Sequence, residues 1–349
     1  MNTRARAKAA EQSGLLTRRD ALDAGMAPSR ITAAIREGDL VVVRRGVYAL
    51  GDVWADLDEY RGRHRLRSRA ATLVMHRGWV LSHDSSADEH GLELLRPANP
   101  HVHITRPGFT SAWTRYGVKH HYARYRPSQV VEVHGMQTLD MARTVADISR
   151  EHGEQAGVVT ADSAMRHGVT RAELWEAVSP MDQWPYSTHA RSAIDLADPR
   201  AENANESLGR LMVREAALGE PDPQFPVRTA EGIKWCDIRV GNHIFECDGR
   251  IKFLPPERGG VAVRPVEDVL WDEKKRERLI AAQGLGVSRI LFEDYWGSKR
   301  TMAIKRMQAE YAISEARFGL ELDPRLARDA TEIRARFGLR DRVEAHRSA

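Results

Sequence analysis

The sequence predicts a multidomain protein of the α+β / α/β class. Three observations predict it. At 349 residues the chain is long enough for two or three domains with buried cores. Its first 55 residues carry two short helical patterns and then a strand pair. Between Ala201 and Trp296 the pattern reads helix, three strands, helix, strand.

Taken in order, residues 1–13 are basic and read as a mobile arm. Thr17-Arg18-Arg19-Asp20 has the hydroxyl-x-x-acid pattern of a capped helix start, and Gly25 stops that helix. Pro28-Ser29 opens a second helix that carries Ile31 and Ile35 inward and ends at Gly38. Leu40–Arg44 and Val47–Leu50 then read as strands around Arg45-Gly46. Helix, turn, helix, hairpin is the winged helix-turn-helix arrangement. The second helix presents Ser29, Arg30, Thr32, Ala33 and Arg36 outward, and the wing presents Arg44 and Arg45. With Arg18 and Arg19, these are residue types that contact phosphates and base edges. A small helical domain with a solvated basic face is the alternative. The stretch GLLTRRDALDAGMAPSRITAAIREGDLVVVRRGVYAL, notably VRRGVYAL, resembles the N-terminal winged-helix domain of AbiEi-family antitoxins of type IV toxin–antitoxin systems. The resemblance implies binding to duplex operator DNA and repression of the protein's own operon. An effector domain like that of the family is not evident, so DNA binding is implied better than neutralisation of a cognate toxin.

The middle region is mixed. Tyr60–His76 and Ser85–His90 read as helices, and His101–Thr105 and Gly117–Tyr122 as strands. Thr138–Ser149 reads as a helix, with Leu139, Ala142, Val145 and Ile148 at helical spacing. Further helices are expected from Gln155 to Met165 and from Thr170 to Val178. The region resembles the α/β connector that follows the winged helix in the same bacterial proteins. It has no phosphate-binding glycine loop. His83, His90, His101, His103, His120 and His121 show no metal-ligand spacing and read as surface or core histidines. Asp84-Ser85 beside His83 lacks the turn of a serine nucleophile. Gln183–Asn205, with Pro185 and Pro199, reads as a linker.

Lys234–Asp248, KWCDIRVGNHIFECD, is the strongest local signal: a β-hairpin around Gly241-Asn242. Strict alternation puts Cys236, Ile238, Phe245 and Cys247 on a core-facing side. It puts Asp237, Glu246 and Asp248 on the other side. Three carboxylates together repel unless a cation lies between them, and hard divalent cations take oxygen ligands. A solvated face with scattered acids is the alternative. Glu206 in ESLGR, Asp237 in CDIRV, the run ECDGRIK from Glu246 to Lys252, and EKKRE follow one another in order. That series resembles the PD-(D/E)XK nuclease core (αβββαβ), and within it the Vsr-like endonuclease-like domains of bacterial proteins. The resemblance implies Mg²⁺ or Mn²⁺ on Asp237 and Glu246, with Glu206 as a further ligand. Asp248 stands where the family usually has Lys. Lys252, or Lys274 on the following helix, would then supply the basic group. The departure bears on catalysis and leaves the fold expectation intact. Past Pro324 the tail is charged and reads as an exposed or partner-binding helix.

The expected division is therefore 1–55 winged helix-turn-helix, 56–198 connector, 199–300 nuclease-like domain and 301–349 helical tail. Charged residues make up 29% and hydrophobic ones 42%, with a net charge of +4. No apolar run approaches the ~18 residues that span a bilayer, and the basic N-terminus has no signal-peptide core, so the cytoplasm is expected. Two cysteines give no disulfide framework or zinc signature. Two functions stand. One is a DNA-binding protein with a Mg²⁺-dependent endonuclease-like domain, in phage defence or toxin–antitoxin biology. The other is a non-catalytic AbiEi-like antitoxin or transcriptional repressor whose nuclease-like domain is a scaffold. The acids favour the first; the missing Lys and the antitoxin-like head favour the second. The balance leans to the nuclease.

Overall fold

The computed structural model describes residues 1–75, 78–108, 111–248 and 266–337. The chain divides into two compact units, Met1–Thr160 with Val169–Asp195, and Ala161–Gly168 with Leu196–Ala349.

The first unit opens with helix α1 (Thr3–Glu11), strand β1 (Leu15–Thr17) and helices α2 (Arg18–Asp23) and α3 (Pro28–Arg36). Strands β2 (Leu40–Arg44) and β3 (Val47–Leu50) and helix α4 (Gly51–Asp56) follow. Thr17 and Asp20 form a reciprocal capping box at α2. Pro at the first turn of α3 costs nothing, because its N–H would be an orphan there. The strands make an antiparallel three-stranded sheet in the order β1-β3-β2. Its core joins Leu16, Ala21, Met26, Ile31, Ala34, Leu40, Tyr48 and Leu50.

The expected N-terminal arm is a helix instead. Asn2 caps α1 by accepting the Ala5 N–H at 2.8 Å, and its amide donates to the Ala24 carbonyl at 2.9 Å. Ala5 and Ala9 lie one turn apart, fully buried in the same core. Their small side chains allow close approach, while the intervening basic residues face water and give the stretch its arm-like composition.

The rest of this unit holds α5 (Gly62–Thr72), β4 (Val80–Leu81), α6 (His83–His90), β5 (Val102–Arg106), β6 (Ser111–Arg115) and β7 (Val118–Tyr122). Then come β8 (Val130–Val133), β9 (Met136–Leu139), α7 (Met141–His152), α8 (Glu154–Arg166), whose residues from Ala161 on belong to the second unit, α9 (Arg171–Val178) and α10 (Ser187–Leu196), whose last residue does so too. Six strands form a mixed sheet, β6-β7-β5-β4-β9-β8. The β5–β7 and β4–β9 pairs are parallel. Thr138 and Leu139, expected in a helix, complete β9; the helix starts after the Asp140 cap, which accepts the Arg143 N–H at 2.7 Å. The apolar spacing ran across the boundary because both elements bury the same positions. The stretch read as a linker contains α10.

The second unit has α11 (Ala204–Glu215), β10 (Asp222–Thr229), β11 (Gly232–Val240), β12 (His243–Asp248), α12 (Val266–Ala281), β13 (Gly286–Leu291), α13 (Gly297–Phe318) and α14 (Pro324–Arg336). Its four-stranded sheet runs β10-β11-β12-β13, with β13 parallel to β12 and the other pairs antiparallel. Val240 pairs with His243 across Gly241-Asn242, so the hairpin is a two-residue turn, and Gly241 takes φ +52°. The Asn242 amide donates to the carbonyls of Phe318, Gly319 and Glu321 at 3.0, 2.9 and 2.7 Å. The helix past Pro324 is not an exposed appendage. Leu326 and Ala330 of α14 pack with Phe225, Val227, Ile244, Ile280 and Leu285. The charged residues that dominate its composition cover the outer face. Among the described residues, no helix is long and apolar enough to cross a membrane.

Candidate nucleic-acid interface

Helix α3 buries Ile31 and Ala34 and leaves Ser29, Arg30, Thr32 and Arg36 exposed. Arg18 and Arg19, in the first turn of α2, are exposed as well. Arg45 at the β2–β3 turn is exposed and Arg44 half-buried, where burial lowers the affinity of its guanidinium for the proton. At least three of these side chains have partners on the protein, among them Arg19, whose Nε lies 3.7 Å from Asp23 Oδ2. Arg30 Nη1 lies 3.1 and 3.3 Å from the two carboxylate oxygens of Glu37, and Thr32 Oγ1 donates to the Pro28 carbonyl at 3.1 Å. A basic surface results, on a helix and on a strand turn of one small domain.

Sequence reasoning missed a further contribution to that surface. At the β6–β7 turn Arg115 lies over the exposed Tyr116 ring, 4.9 Å from its centroid. The Tyr116 phenol is shifted down, first by a hydrogen bond from Arg115 and then by its charge, with a smaller effect of Arg45. Trp113 on the same hairpin stacks on His120 at 3.8 Å. The signal was present in the run WTRYG, where aromatic residues interleave with Arg.

The carboxylates expected on one face of the hairpin are divided between two surroundings. Glu206 on α11 is buried and accepts hydrogen bonds from Glu202 N, Asn203 Nδ2 and Gln224 Nε2 at 2.8, 2.7 and 2.9 Å. Burial, and then the Asp237 charge, push its carboxyl up to about 8, against the donors of Glu202 and Gln224. Asp237 accepts the Cys247 backbone N–H at 2.7 Å. Glu246 instead pairs with Arg276 of α12 at 3.2 Å. Asp248 pairs at 2.6 Å with Arg289 of β13, which also holds Glu273 at 2.6 Å. Lys274 is exposed, and Lys252 lies outside the described residues.

The reason is a break in the strand alternation. The β10–β11 register pairs Pro223 with Ile238 and Phe225 with Cys236, skipping Gln224 and Asp237, and Gln224 has φ +51°. Beyond that irregularity Cys236 packs with Ile244 and Ile280, whereas Ile238 and Cys247 lie against Gly209 of α11. Both thiols are buried, as expected, but in different packing environments, and burial raises both.

Elsewhere the fold assembles residues that no sequence spacing announces. One ligand atom each from His83, His103 and His121 lie within 4.8 Å of one another, and the same holds for Asp84, His103 and His152. These are the groups of that kind among the described residues, and neither includes Glu206, Asp237, Glu246 or Asp248.

Residues 4–51 match the family model described as a transcriptional regulator, AbiEi antitoxin. The match begins inside α1, so the helix that replaces the expected arm falls within the AbiEi-type region. It ends at Gly51, the first residue of α4. The chain is also 26% identical over 217 residues to uncharacterized proteins of two Mycobacterium tuberculosis strains, CDC 1551 / Oshkosh and H37Rv. That similarity covers 60% of this chain and 73% of each relative.

Proposed function

We propose that the chain is a DNA-binding transcriptional regulator of the antitoxin type. Its N-terminal region acts as a winged helix that sets α3 against duplex DNA. The observation that carries this reading is the AbiEi match over residues 4–51, laid on three helices and a three-stranded sheet that expose Arg18, Arg19, Arg30, Arg36 and Arg45. Phosphate neutralisation by these arginines supplies affinity, and Ser29, Arg30 and Thr32 stand on the helix that would reach base edges. A cognate toxin is the protein partner such a regulator implies, and the cytoplasm the compartment. The test is a gel shift on the chain's own promoter region. The full protein should retard that DNA with an affinity that falls steeply with salt, and a protein lacking residues 1–55 should not. Equal retardation by the truncated protein would overturn the reading.

The second unit bears on a second reading, a Mg²⁺- or Mn²⁺-dependent endonuclease of PD-(D/E)XK type. The element order α11-β10-β11-β12-α12-β13 supports it. So does the placement of Glu206 within the field of Asp237, a pair that a divalent ion would relieve. Against it, Arg276 and Arg289 already compensate Glu246 and Asp248. We therefore take the second unit as a scaffold, and plasmid cleavage that requires Mg²⁺ or Mn²⁺ and disappears in Glu246→Ala would reverse that choice.

A further inference from the structure

The first unit brings four histidines and an aspartate together from four separate segments. His83 and Asp84 open α6, immediately after β4; His103 lies on β5, His121 on the parallel neighbour β7, and His152 ends α7. His83, Asp84, His103 and His121 are all buried, with Asp84 fully so. His103 Nδ1 is 3.0 Å from His121 Nε2. The His83 ring stacks on His121 at 3.8 Å between centroids, and both lie 5.2 Å from His103. His152 Nε2 is 2.8 Å from Asp84 Oδ1, while Asp84 Oδ2 is buried with no hydrogen-bond partner.

A core that merely tolerated histidines would satisfy each of them separately. Here the rings of three histidines converge beside a buried carboxylate, and its Oδ2 is left unmet, which costs free energy unless a cation joins it. Two nitrogens bound at about 2.0–2.1 Å to a tetrahedral zinc ion stand roughly 3.3 Å apart, so the separation of His103 and His121 needs only a small adjustment. The positions around the rings fit the same reading. Ser82 Oγ engages His83 Nδ1 at 2.9 Å and itself accepts from Thr105 Oγ1 at 2.8 Å, which orients the ring and leaves Nε2 for a ligand. His83 begins its helix at φ +48°, a left-handed backbone uncommon for a residue other than glycine, Asn or Asp.

We infer that His83, His103 and His121 form a binding site for a divalent transition ion, zinc by its ligand chemistry, with Asp84 and His152 closing the site beside His103. Imidazole nitrogen with a carboxylate suits zinc and its first-row neighbours rather than magnesium. Being enclosed, the site is structural: one ion would join the β4–α6 junction to β5, β7 and the end of α7. Nothing in this inference depends on DNA binding or on the carboxylates of the second unit.

The test uses the full-length protein, freed of metal with a chelator and titrated with Zn²⁺ or Mg²⁺. Zinc should bind at about one ion per chain and raise the melting temperature, and Mg²⁺ should do neither. His103→Ala and His121→Ala should each weaken zinc binding at least about tenfold. Because these replacements empty buried positions, Co²⁺ loading of the wild-type protein gives a reading that needs no variant. Intense visible bands of a four-coordinate site are expected. The pale spectrum of the aqua ion would overturn the inference, as would zinc binding that survives in folded His103→Ala but vanishes in Glu246→Ala.

Discussion

Ser314 of α13 stands 2.7 Å from Nδ1 of His243 on β12, and Ser288 of β13 stands 2.8 Å from its Nε2. One buried imidazole thus links two paired strands to the helix that covers them. Burial lowers the His243 pKa to about 4, from an ordinary value of 6.5. The sign follows directly. Above pH 6.5 the ring is neutral in both folded and unfolded chains, and its contribution is complete. Between 6.5 and about 4 the unfolded chain takes up a proton that the folded one refuses, so stability falls by up to about 1.4 kcal/mol per pH unit. Thermal melts of the wild-type protein should show this loss on acidification. His243→Gln should be less stable at pH 7 yet lose less between pH 7 and pH 4.5. Parallel losses in the two proteins would refute the assignment.

The C-terminal helix should behave as part of the second unit. Leu326 is 1% exposed, among Phe225, Ile280 and Leu285. Leu326→Ala removes that packing and should cost about 2–4 kcal/mol by chemical denaturation. Removing residues 320–349 should be worse still, because Asn242 then loses its Glu321 carbonyl partner and Asp222 the guanidinium of Arg334. A truncated protein as stable as the full chain would show that α14 is dispensable.

On α3, Arg30 is occupied by Glu37 in the protein without DNA. If α3 lies against DNA as proposed, binding exchanges that carboxylate for a phosphate. Glu37→Gln should therefore strengthen DNA binding, by about two- to fivefold at low salt, while Arg30→Ala and Arg36→Ala each weaken it by roughly tenfold. Each lost phosphate contact should also reduce the salt slope by about 1. Gel shifts at several salt concentrations measure all three. An unchanged slope in both arginine variants would place the DNA elsewhere.

How much of this was legible beforehand depended on whether the signal was local. The capping pair Thr17 and Asp20 lies within one turn, and Gly241-Asn242 defines its hairpin without help from the rest of the chain, so both were readable. Helix α1 was not, because Ala5 and Ala9 carry no hydrophobic signature inside a basic run, and only tertiary contact makes them core. The division of the carboxylates was hidden for another reason. Alternation from Lys234 to Val240 holds only for regular strand backbone, and it fails where the β10–β11 ladder, its offset unchanged, has no pair at Gln224 and Asp237. The histidine cluster is the extreme case. Its members are spaced by strands and helices of the mixed sheet, and only the parallel pairing of β5 with β7 brings His103 beside His121.

Glu246 and Arg276 provide the clearest means of separating the two readings of the second unit. Glu246 is buried at 8% exposure, and Arg276 reaches it from α12 while also donating to the Trp235 carbonyl. Removing the guanidinium takes a charged partner from a buried carboxylate, so Arg276→Ala should destabilise by about 1–3 kcal/mol. Glu246→Gln should cost less, because the Arg276 side chain is about a third exposed and water can solvate its charge. In a double-mutant cycle the two changes should therefore be less than additive. Magnesium discriminates further. If Glu246 serves only to anchor α12, millimolar Mg²⁺ leaves every melting temperature in the cycle unmoved, which is the outcome expected here. If it is a metal ligand, Mg²⁺ should substitute for the missing guanidinium and restore Arg276→Ala selectively. That rescue, together with Mg²⁺-dependent cleavage of plasmid by the wild-type protein, would make the second unit a nuclease rather than a scaffold.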